Sequence, residues 1–245
     1  MQVIVTENFT ESCKLAAKMI ADVVRNKPDA RLGLATGGTA EAIYPFLVKE
    51  YQEGKLDFSK VSTVNLDEYV GLAPDHPQSY RYFMDHNLFN HVNIDKKNTY
   101  VVGGTGDVEK NLVDFRRKIA EKPIDIQLLG IGENGHIGFN EPGSTLKLNA
   151  HLENLNESTI KANSRFFNSM DEVPKQAITM GIGDIMSAKR LVLVATGPKK
   201  ANAVRGLVLG DELDCSNPST VIKVHPDATV IIDRELADMI GYKAE

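Results

Sequence analysis

The segment IDIQLLGIGENGHIGFNEP, residues 124–142, joins an apolar run to a glycine-rich loop that also holds a histidine and a glutamate. The run from Ile124 to Leu129 is typical of a strand buried in a parallel sheet. The loop that follows places Gly130, Gly132 and Gly135 at the G-x-G-x-x-G spacing of dinucleotide-binding proteins. Whether this segment opens a dinucleotide-binding unit decides how the rest of the chain is interpreted.

The residues after the loop do not continue the dinucleotide pattern. That pattern requires a helix opened by the glycines and an acidic residue at the end of the next strand, roughly 20 residues further on. After Gly135 the chain has no apolar residues at helical spacing and soon meets two helix breakers. The acidic residue would be expected within 154–160, but the sequence of this segment is too polar for a buried strand. The glycines therefore predict a loop, and His136 and Glu141 need a separate explanation.

Short β-rich runs alternate with helical patterns along almost the whole chain. This alternation predicts one α/β domain over residues 1–245, with a doubly wound, Rossmann-like, mostly parallel sheet and helices on both faces. The stretch 141–173 is the least regular part and is a candidate lid. The expected strands are 3–5, 31–35, 61–66, 99–102, 124–130, 190–196 and 228–233, and the expected helices are 15–24, 39–53, 79–89, 107–122, 199–209 and a last one from 234.

The composition excludes several classes of partner. The 245 residues are 42% hydrophobic and 25% charged, as in soluble globular proteins. A net charge of −5 without a cluster of Lys and Arg predicts no nucleic-acid or membrane partner. Cys13 and Cys215 lie far apart and near no paired histidine, which favours a reducing, cytoplasmic location. The acidic, histidine and cysteine residues form no convincing ligand set, so we expect no bound metal.

Loops at the carboxyl ends of parallel strands meet at one edge of a sheet, where ligands bind. Four loops of this kind are expected at 36–39, 67–72, 130–142 and 196–200. The first, Thr36-Gly37-Gly38-Thr39, lies between a strand and a helix, where backbone N–H groups can bind a phosphate. It is not a P-loop, because no Lys follows. Alternatively it is only a tight turn with Thr39 as the helix N-cap.

Asp67 and Glu68 are adjacent carboxylates at the end of the expected strand 61–66. Side chains alternate along an extended chain, so the two cannot face the same point if the strand continues through them. One of them is therefore a candidate catalytic carboxylate. The alternative is that an aspartate at a strand end only caps a helix or forms a turn.

His136, Glu141 and Asn134 are candidates for acid/base chemistry in the glycine-rich loop. A carboxylate that binds one imidazole nitrogen leaves the other free for proton transfer. Spacing alone does not show that His136 and Glu141 are in contact. Arg165 and Lys200 are the cations we expect to bind a substrate anion, although a solvated position is the usual one for either residue type.

Taken together, TGGT at 36–39, NLDEY at 65–69, SYRYFM at 79–84 and GIGENGHIGFNEPGS at 130–144 closely resemble the glucosamine-6-phosphate deaminases. The resemblance covers essentially the whole chain and keeps the order of the motifs. It implies conversion of glucosamine 6-phosphate and water to fructose 6-phosphate and ammonia, by aldose-ketose isomerisation without a cofactor. The implied partner is a phosphosugar, and the implied assembly is a monomer or a small homo-oligomer.

The resemblance also implies roles for the candidate residues. Asp67 resembles the base that removes the proton from carbon two, His136 the ring-opening acid/base, and Glu141 its orienting partner. Residues 36–39 with Arg165 and Lys200 resemble the contacts to phosphate. The chain departs from many relatives at Asn134, where they have Asp. An amide can position a hydrogen-bond partner, but it cannot share a negative charge with His136.

Two other functions stay open at this level. A 6-phosphogluconolactonase shares the sheet and a glycine-rich histidine loop, but usually has a basic residue after the Asp-Glu pair, where this chain has Tyr69. The sequence Phe139-Asn140-Glu141-Pro142 also disfavours it. A regulator that binds phosphosugars without turnover is the second alternative, although binding alone requires neither Asp67 nor His136.

Overall fold

Seven parallel strands form the central sheet in the computed structural model, which describes residues 1–243. In spatial order the strands are β1 (Gln2–Thr6), β10 (Ala228–Asp233), β9 (Leu191–Ala195), β6 (Ile126–Leu129), β2 (Arg31–Leu34), β3 (Ser62–Asn65) and β5 (Thr99–Tyr100). All of their pairings are parallel. The predicted α/β fold with a doubly wound, mostly parallel sheet is confirmed.

Helices flank this sheet and connect its strands. In chain order they are α1 (Phe9–Asn26), α2 (Gly38–Gln52), α3 (Tyr80–Met84), α4 (Val108–Glu121), α5 (Glu157–Asn163), α6 (Ile182–Met186), α7 (Ala201–Val208) and α8 (Arg234–Ile240). Every residue of β2, β6, β9 and β10 is buried, which explains why their sequences are apolar runs rather than alternating patterns.

The winding direction of the chain reverses between β2 and β6. From β2 the chain proceeds outward through β3 and β5, returns to β6 beside β2, and proceeds through β9 and β10 towards β1 on the other side. The loops that leave the neighbouring strands β2 and β6 therefore lead to opposite sides of the sheet, and a crevice opens between these loops. In doubly wound sheets this is the place where ligands bind.

A second, antiparallel sheet was not predicted from the sequence. It consists of β4 (Asp67–Tyr69), β8 (Gln176–Thr179) and β7 (His151–Asn154), with β8 in the centre. Leu66 connects the two sheets, because its N–H donates to Leu34 in the large sheet and its carbonyl accepts from Met180 after β8. The chain thus passes through the Asp67–Glu68 pair in an extended conformation, but within the second sheet.

Three other expectations about elements need correction. The helix expected at 79–89 is α3 followed by a π-helical turn, Asp85–Phe89. The stretch 141–173 contains β7 and α5, so it is more regular than its polar sequence suggests. The helix expected at 199–209 begins with a 3₁₀ turn before α7, and α6 was not expected at all. The predicted domain boundary at 245 lies outside the described residues.

Candidate active site

One cavity of about 970 Å³ opens at the carboxyl ends of the parallel strands. All four of the predicted loops contribute to its wall. The candidate residues that line it are Thr36, Gly37, Gly38, Thr39, Asp67, His136, Arg165 and Lys200. The other two candidates, Glu141 and Asn134, lie behind His136 and connect to the cavity through it. The tertiary structure therefore brings every candidate residue to one place.

The loop between β2 and α2 leaves the start of that helix without a side-chain cap. Helix α2 begins at Gly38, and Gly37 is its N-cap with φ +91°. This φ lies in the left-handed region that favours glycine. Thr39 is inside the first turn, so the alternative interpretation of Thr39 as the N-cap is wrong. The uncapped N–H groups and the positive end of the helix dipole lie at the cavity wall, an arrangement that suits an anion.

Two cations reach the cavity from different elements. Lys200 precedes α7, and Arg165 lies in the short 3₁₀ turn that follows α5. Burial lowers the pKa of the Lys200 ammonium; the Glu133 carboxylate opposes this change, and the positive charges of Arg165 and Lys199 add to it. Arg165 and Lys200 are thus close enough to repel each other. An anion between them would remove that repulsion.

Asp67 is buried at the base of the cavity, with 6% of its surface exposed. Burial raises the pKa of this carboxyl well above its ordinary value, and the neighbouring Glu68 raises it further. Gly138, with φ +57°, passes close by: a Cβ there would lie 3.5 Å from Asp67 Oδ2 and 2.9 Å from Thr179 Oγ1. The contact with Asp67 would be an ordinary one, but the positive φ and the close approach to Thr179 require a glycine where the loop passes Asp67.

Glu68 faces away from the cavity, as the alternation along an extended chain predicts. Its carboxylate accepts hydrogen bonds from the N–H groups of Tyr69, Tyr80 and Arg81, at 2.8–3.2 Å. Burial raises the pKa of Glu68 to about 7, although these N–H groups act in the opposite direction. Asp67 is consequently the carboxylate of the pair that a substrate can reach.

His136 and Glu141 are neighbours, which their spacing alone did not show. His136 Nδ1 lies 3.4 Å from Glu141 Oε2, and the side chains are 18% and 4% exposed, respectively. Burial would raise the pKa of Glu141, but hydrogen bonds from His136, Thr159 and Asn134 and the charge of His136 lower it overall. Asn134 Nδ2 donates to Glu141 Oε2 at 2.8 Å. Because Nδ1 faces Glu141, Nε2 is the ring nitrogen available to the cavity.

The comparison with protein families identifies the chain. Residues 6–231 match the family model described as glucosamine-6-phosphate isomerases/6-phosphogluconolactonase. The chain belongs to the glucosamine-6-phosphate isomerase/6-phosphogluconolactonase family.

Deaminases of this family are similar to the chain over nearly its whole length. The chain is 50% identical to the glucosamine-6-phosphate deaminase of Clostridium perfringens, over 98% of this chain and 100% of that protein. It is 49% identical to the deaminase of Thermoanaerobacter pseudethanolicus, over 98% of this chain and 95% of that protein.

One solved structure supports the same family, and a second shares only the fold. A monomeric glucosamine-6-phosphate deaminase superposes with a TM-score of 0.94 at 44% identity, covering 98% of this chain and 100% of that chain. The 6-phosphogluconolactonase of Thermotoga maritima superposes with a TM-score of 0.75 at 18% identity, covering 95% of this chain and 99% of the other. The lactonase therefore shows the shared fold alone.

Four aromatic side chains form a wall of the cavity that the sequence did not predict. Tyr69, Tyr80, Phe139 and Phe167 lie with ring centroids 5.0–6.2 Å apart, and all four line the cavity. Burial raises the pKa of Tyr69 to about 12. No periodicity could have indicated this wall, because its rings come from four separate segments of the chain.

The described residues contain neither a metal-binding cluster nor a membrane-spanning helix. Among residues 1–243, no group of three or more His, Cys, Asp or Glu side chains is arranged to hold a metal ion. No helix in that range is sufficiently long and apolar to span a bilayer. Both cysteines are free; Cys13 is buried and Cys215 is half-buried.

Proposed function

We propose that the protein converts glucosamine 6-phosphate and water into fructose 6-phosphate and ammonia. The observation that carries this proposal is that a single cavity contains a buried carboxylate, an imidazole paired with a second carboxylate, and two converging cations. Each of these groups matches one step of an isomerisation with loss of an amine. The 50% identical relative named for the same reaction supports it.

The phosphate is the group that the cations and the uncapped helix would bind. Arg165 and Lys200 provide positive charge, and residues 36–39 provide N–H groups at the start of α2. A phosphate dianion between the two cations would relieve their repulsion. Because Asp67 lines the same cavity, a sugar whose phosphate is bound there would extend its carbon chain towards Asp67.

Ring opening is the step we assign to His136 and Glu141. A pyranose opens when one proton leaves the anomeric hydroxyl and another reaches the ring oxygen, and one imidazole can carry out both transfers. Glu141 remains ionised beside Nδ1, because its pKa is lowered, and it stabilises the imidazolium that forms. Asn134 positions Glu141 by its amide but adds no charge.

Isomerisation is the step we assign to Asp67. The proton on carbon two is far less acidic than a carboxylic acid, so it can leave only where the resulting enolamine is stabilised in a site that excludes water. Burial raises the pKa of Asp67, which makes its carboxylate a stronger base than usual. Returning the proton to carbon one leaves a ketimine at carbon two, and water hydrolyses this to the ketose and ammonia.

This scheme uses only side chains, so we propose a cofactor-free and metal-free hydrolase that acts on a carbon–nitrogen bond. We further propose a cytoplasmic enzyme that works as a monomer or a small homo-oligomer. Support for the monomer comes from the 44% identical relative, whose structure is described as monomeric. The lactonase alternative finds no specific support, because its likeness to this chain is confined to the fold.

The decisive experiment is incubation of the pure protein, after treatment with a chelator, with glucosamine 6-phosphate and no nucleotide. Equal release of ammonia and ketose is the expected result. Hydrolysis of 6-phosphogluconolactone without amine release would instead identify a lactonase. Binding of the phosphosugar without any turnover would identify a regulator.

A further inference from the structure

The start of α5, from its N-cap Asn156 to Thr159, contacts both members of the His136–Glu141 pair. The N–H of Asn156 donates to Glu141 Oε1 at 3.4 Å, and its side-chain Nδ2 donates to Oε2 at 3.2 Å. Thr159 Oγ1 lies 3.4 Å from His136 Nδ1. Neither residue belongs to the glycine-rich loop that carries the pair.

These contacts help to orient the His136 and Glu141 side chains, which the glycine-rich loop alone does not fix. The 3.4 Å separation of His136 Nδ1 and Glu141 Oε2 is long for a hydrogen bond, as are the 3.4 Å contacts of the Asn156 N–H and of Thr159 Oγ1, so several contacts together fix the pair. Glu141 Oε2 is held by one amide from its own loop, Asn134, and by a second amide from α5, Asn156. The carboxylate therefore has its position set jointly by two independent elements.

Thr159 is placed to act on the imidazole directly. It is 3% exposed, so its hydroxyl is enclosed with the pair rather than solvated. A hydroxyl can accept from the Nδ1–H of His136 and donate its own proton to the Glu141 carboxylate. In that arrangement it keeps the proton on Nδ1 and leaves Nε2 free towards the cavity.

The other end of α5 is attached to the remainder of the site. Asn163 Nδ2 donates to the hydroxyl of Tyr69 at 2.8 Å, and Tyr69 is in the same strand as Asp67. Arg165 follows in the next turn. The helix is thus held at both ends against the groups assigned to ring opening and to isomerisation.

We propose that Asn156 and Thr159 are positioning residues, which hold Glu141 and His136 in the geometry needed for ring opening. The proposal rests on the proposed function, because ring opening is a step of that reaction. Neither residue lines the cavity, so their substitution should lower turnover without weakening phosphosugar binding.

The test compares Thr159→Val with two matched variants. Thr159→Ser retains the hydroxyl, and Ser158→Ala removes a hydroxyl from the exposed neighbouring position of the same helix. We expect Thr159→Val to lower kcat about tenfold, a part of the ~10²-fold or more that a positioned acid/base group contributes. The affinity for fructose 6-phosphate, measured by calorimetry, should not change. Thr159→Ser should restore turnover, and Ser158→Ala should not affect it.

A double-mutant cycle separates positioning from a merely structural role. In a His136→Gln background, Thr159→Val should cause no further loss, because the group that it positions is already absent. An additive loss in that background, or wild-type turnover by Thr159→Val, overturns the proposal. If Thr159→Val does not fold, Asn156→Ala in the half-buried first turn should show the same non-additive loss, and additivity there overturns it as well. Absence of ammonia release by the wild-type protein would instead refute the proposed function.

Discussion

Two adjacent buried carboxylates, Asp67 and Glu68, are the most unusual local feature of the chain. Consecutive residues of β4 place them on opposite sides of the strand, so one reaches the cavity and the other binds N–H groups at the start of α3. Burial and mutual repulsion raise the pKa of Asp67, and burial raises that of Glu68. A base of raised pKa is useful for removing a weakly acidic proton, but it destabilises the folded state when ionised.

Asp67→Asn should abolish most turnover and leave phosphosugar binding intact. The expected loss in kcat is at least ~10²-fold, as for other positioned acid/base groups. Ammonia release and calorimetric binding of fructose 6-phosphate measure the two properties separately. Turnover at the wild-type rate would remove Asp67 from the proposed role.

The same substitution should stabilise the protein at neutral pH. The folded-state pKa of Asp67 is raised, so the folded state binds more protons than the unfolded chain between about pH 4 and that pKa. The free energy of unfolding therefore falls as pH rises through this window, and Asn removes the penalty. A gain of about 1 kcal/mol corresponds to a Tm increase of about 2–4 °C. A fall in Tm from pH 4 to pH 7.5 that is smaller in the variant than in wild type would be the confirming pattern, because Glu68, whose pKa is also raised, contributes the remainder.

Glu68 should shift the acid limb of the pH–rate profile, which the ionisation of Asp67 sets. Asp67 must be ionised to act, so the limb should lie above the ordinary carboxyl range of about 4, with an apparent pKa that belongs to the pair. Glu68→Gln removes a negative charge beside Asp67 and should shift the limb to lower pH. Glu109→Gln, at an exposed position of α4, is the control. An unchanged limb in Glu68→Gln would show that the two carboxylates do not interact.

At the level of elements, β4 depends on a close approach by another segment. A Cβ at Gly104 would lie 2.2 Å from the carbonyl oxygen of Tyr69 and 2.8 Å from that of Leu72. The chain around 104 therefore supports the strand that carries Asp67, and only a residue without a side chain can do so.

Gly104→Ala should displace β4 and impair both stability and turnover. Overpacking of this kind costs about 1–3 kcal/mol, which urea denaturation measures. Gly103→Ala is the matched control, because a Cβ there would meet Asn111 Nδ2 at an ordinary 3.4 Å. Equal stability of the two alanine variants would contradict the proposed support of β4.

At the level of the whole molecule, the cavity gathers loops from four strands, so occupation by ligand should stabilise the entire fold. Fructose 6-phosphate at about one hundred times its Kd should add about 2.7 kcal/mol, or about 5–10 °C in Tm. Lys200→Gln should reduce this shift at the same concentration, and unphosphorylated fructose should produce none. An equal shift with fructose would show that the cavity does not select for phosphate.

The main sheet and its loops were predictable because they depend on local patterns. Apolar runs such as 191–195 and 228–233 predict buried parallel strands, and the loops after them reach one edge by topology alone. His136 and Glu141 were predictable as candidate acid/base residues because they share one short loop, but their contact was not. The second sheet was not, because β4, β7 and β8 are short and pair only with segments distant in sequence.

By itself, the sequence determined the α/β class, the strand ends that form the cavity, and the residue types able to perform the chemistry. Only the tertiary structure decided that Asp67 rather than Glu68 faces the cavity, and that α5 lies against His136 and Glu141. The physical reason is that periodicity records which face of an element is buried, whereas contacts between side chains of distant segments depend on how those segments pack.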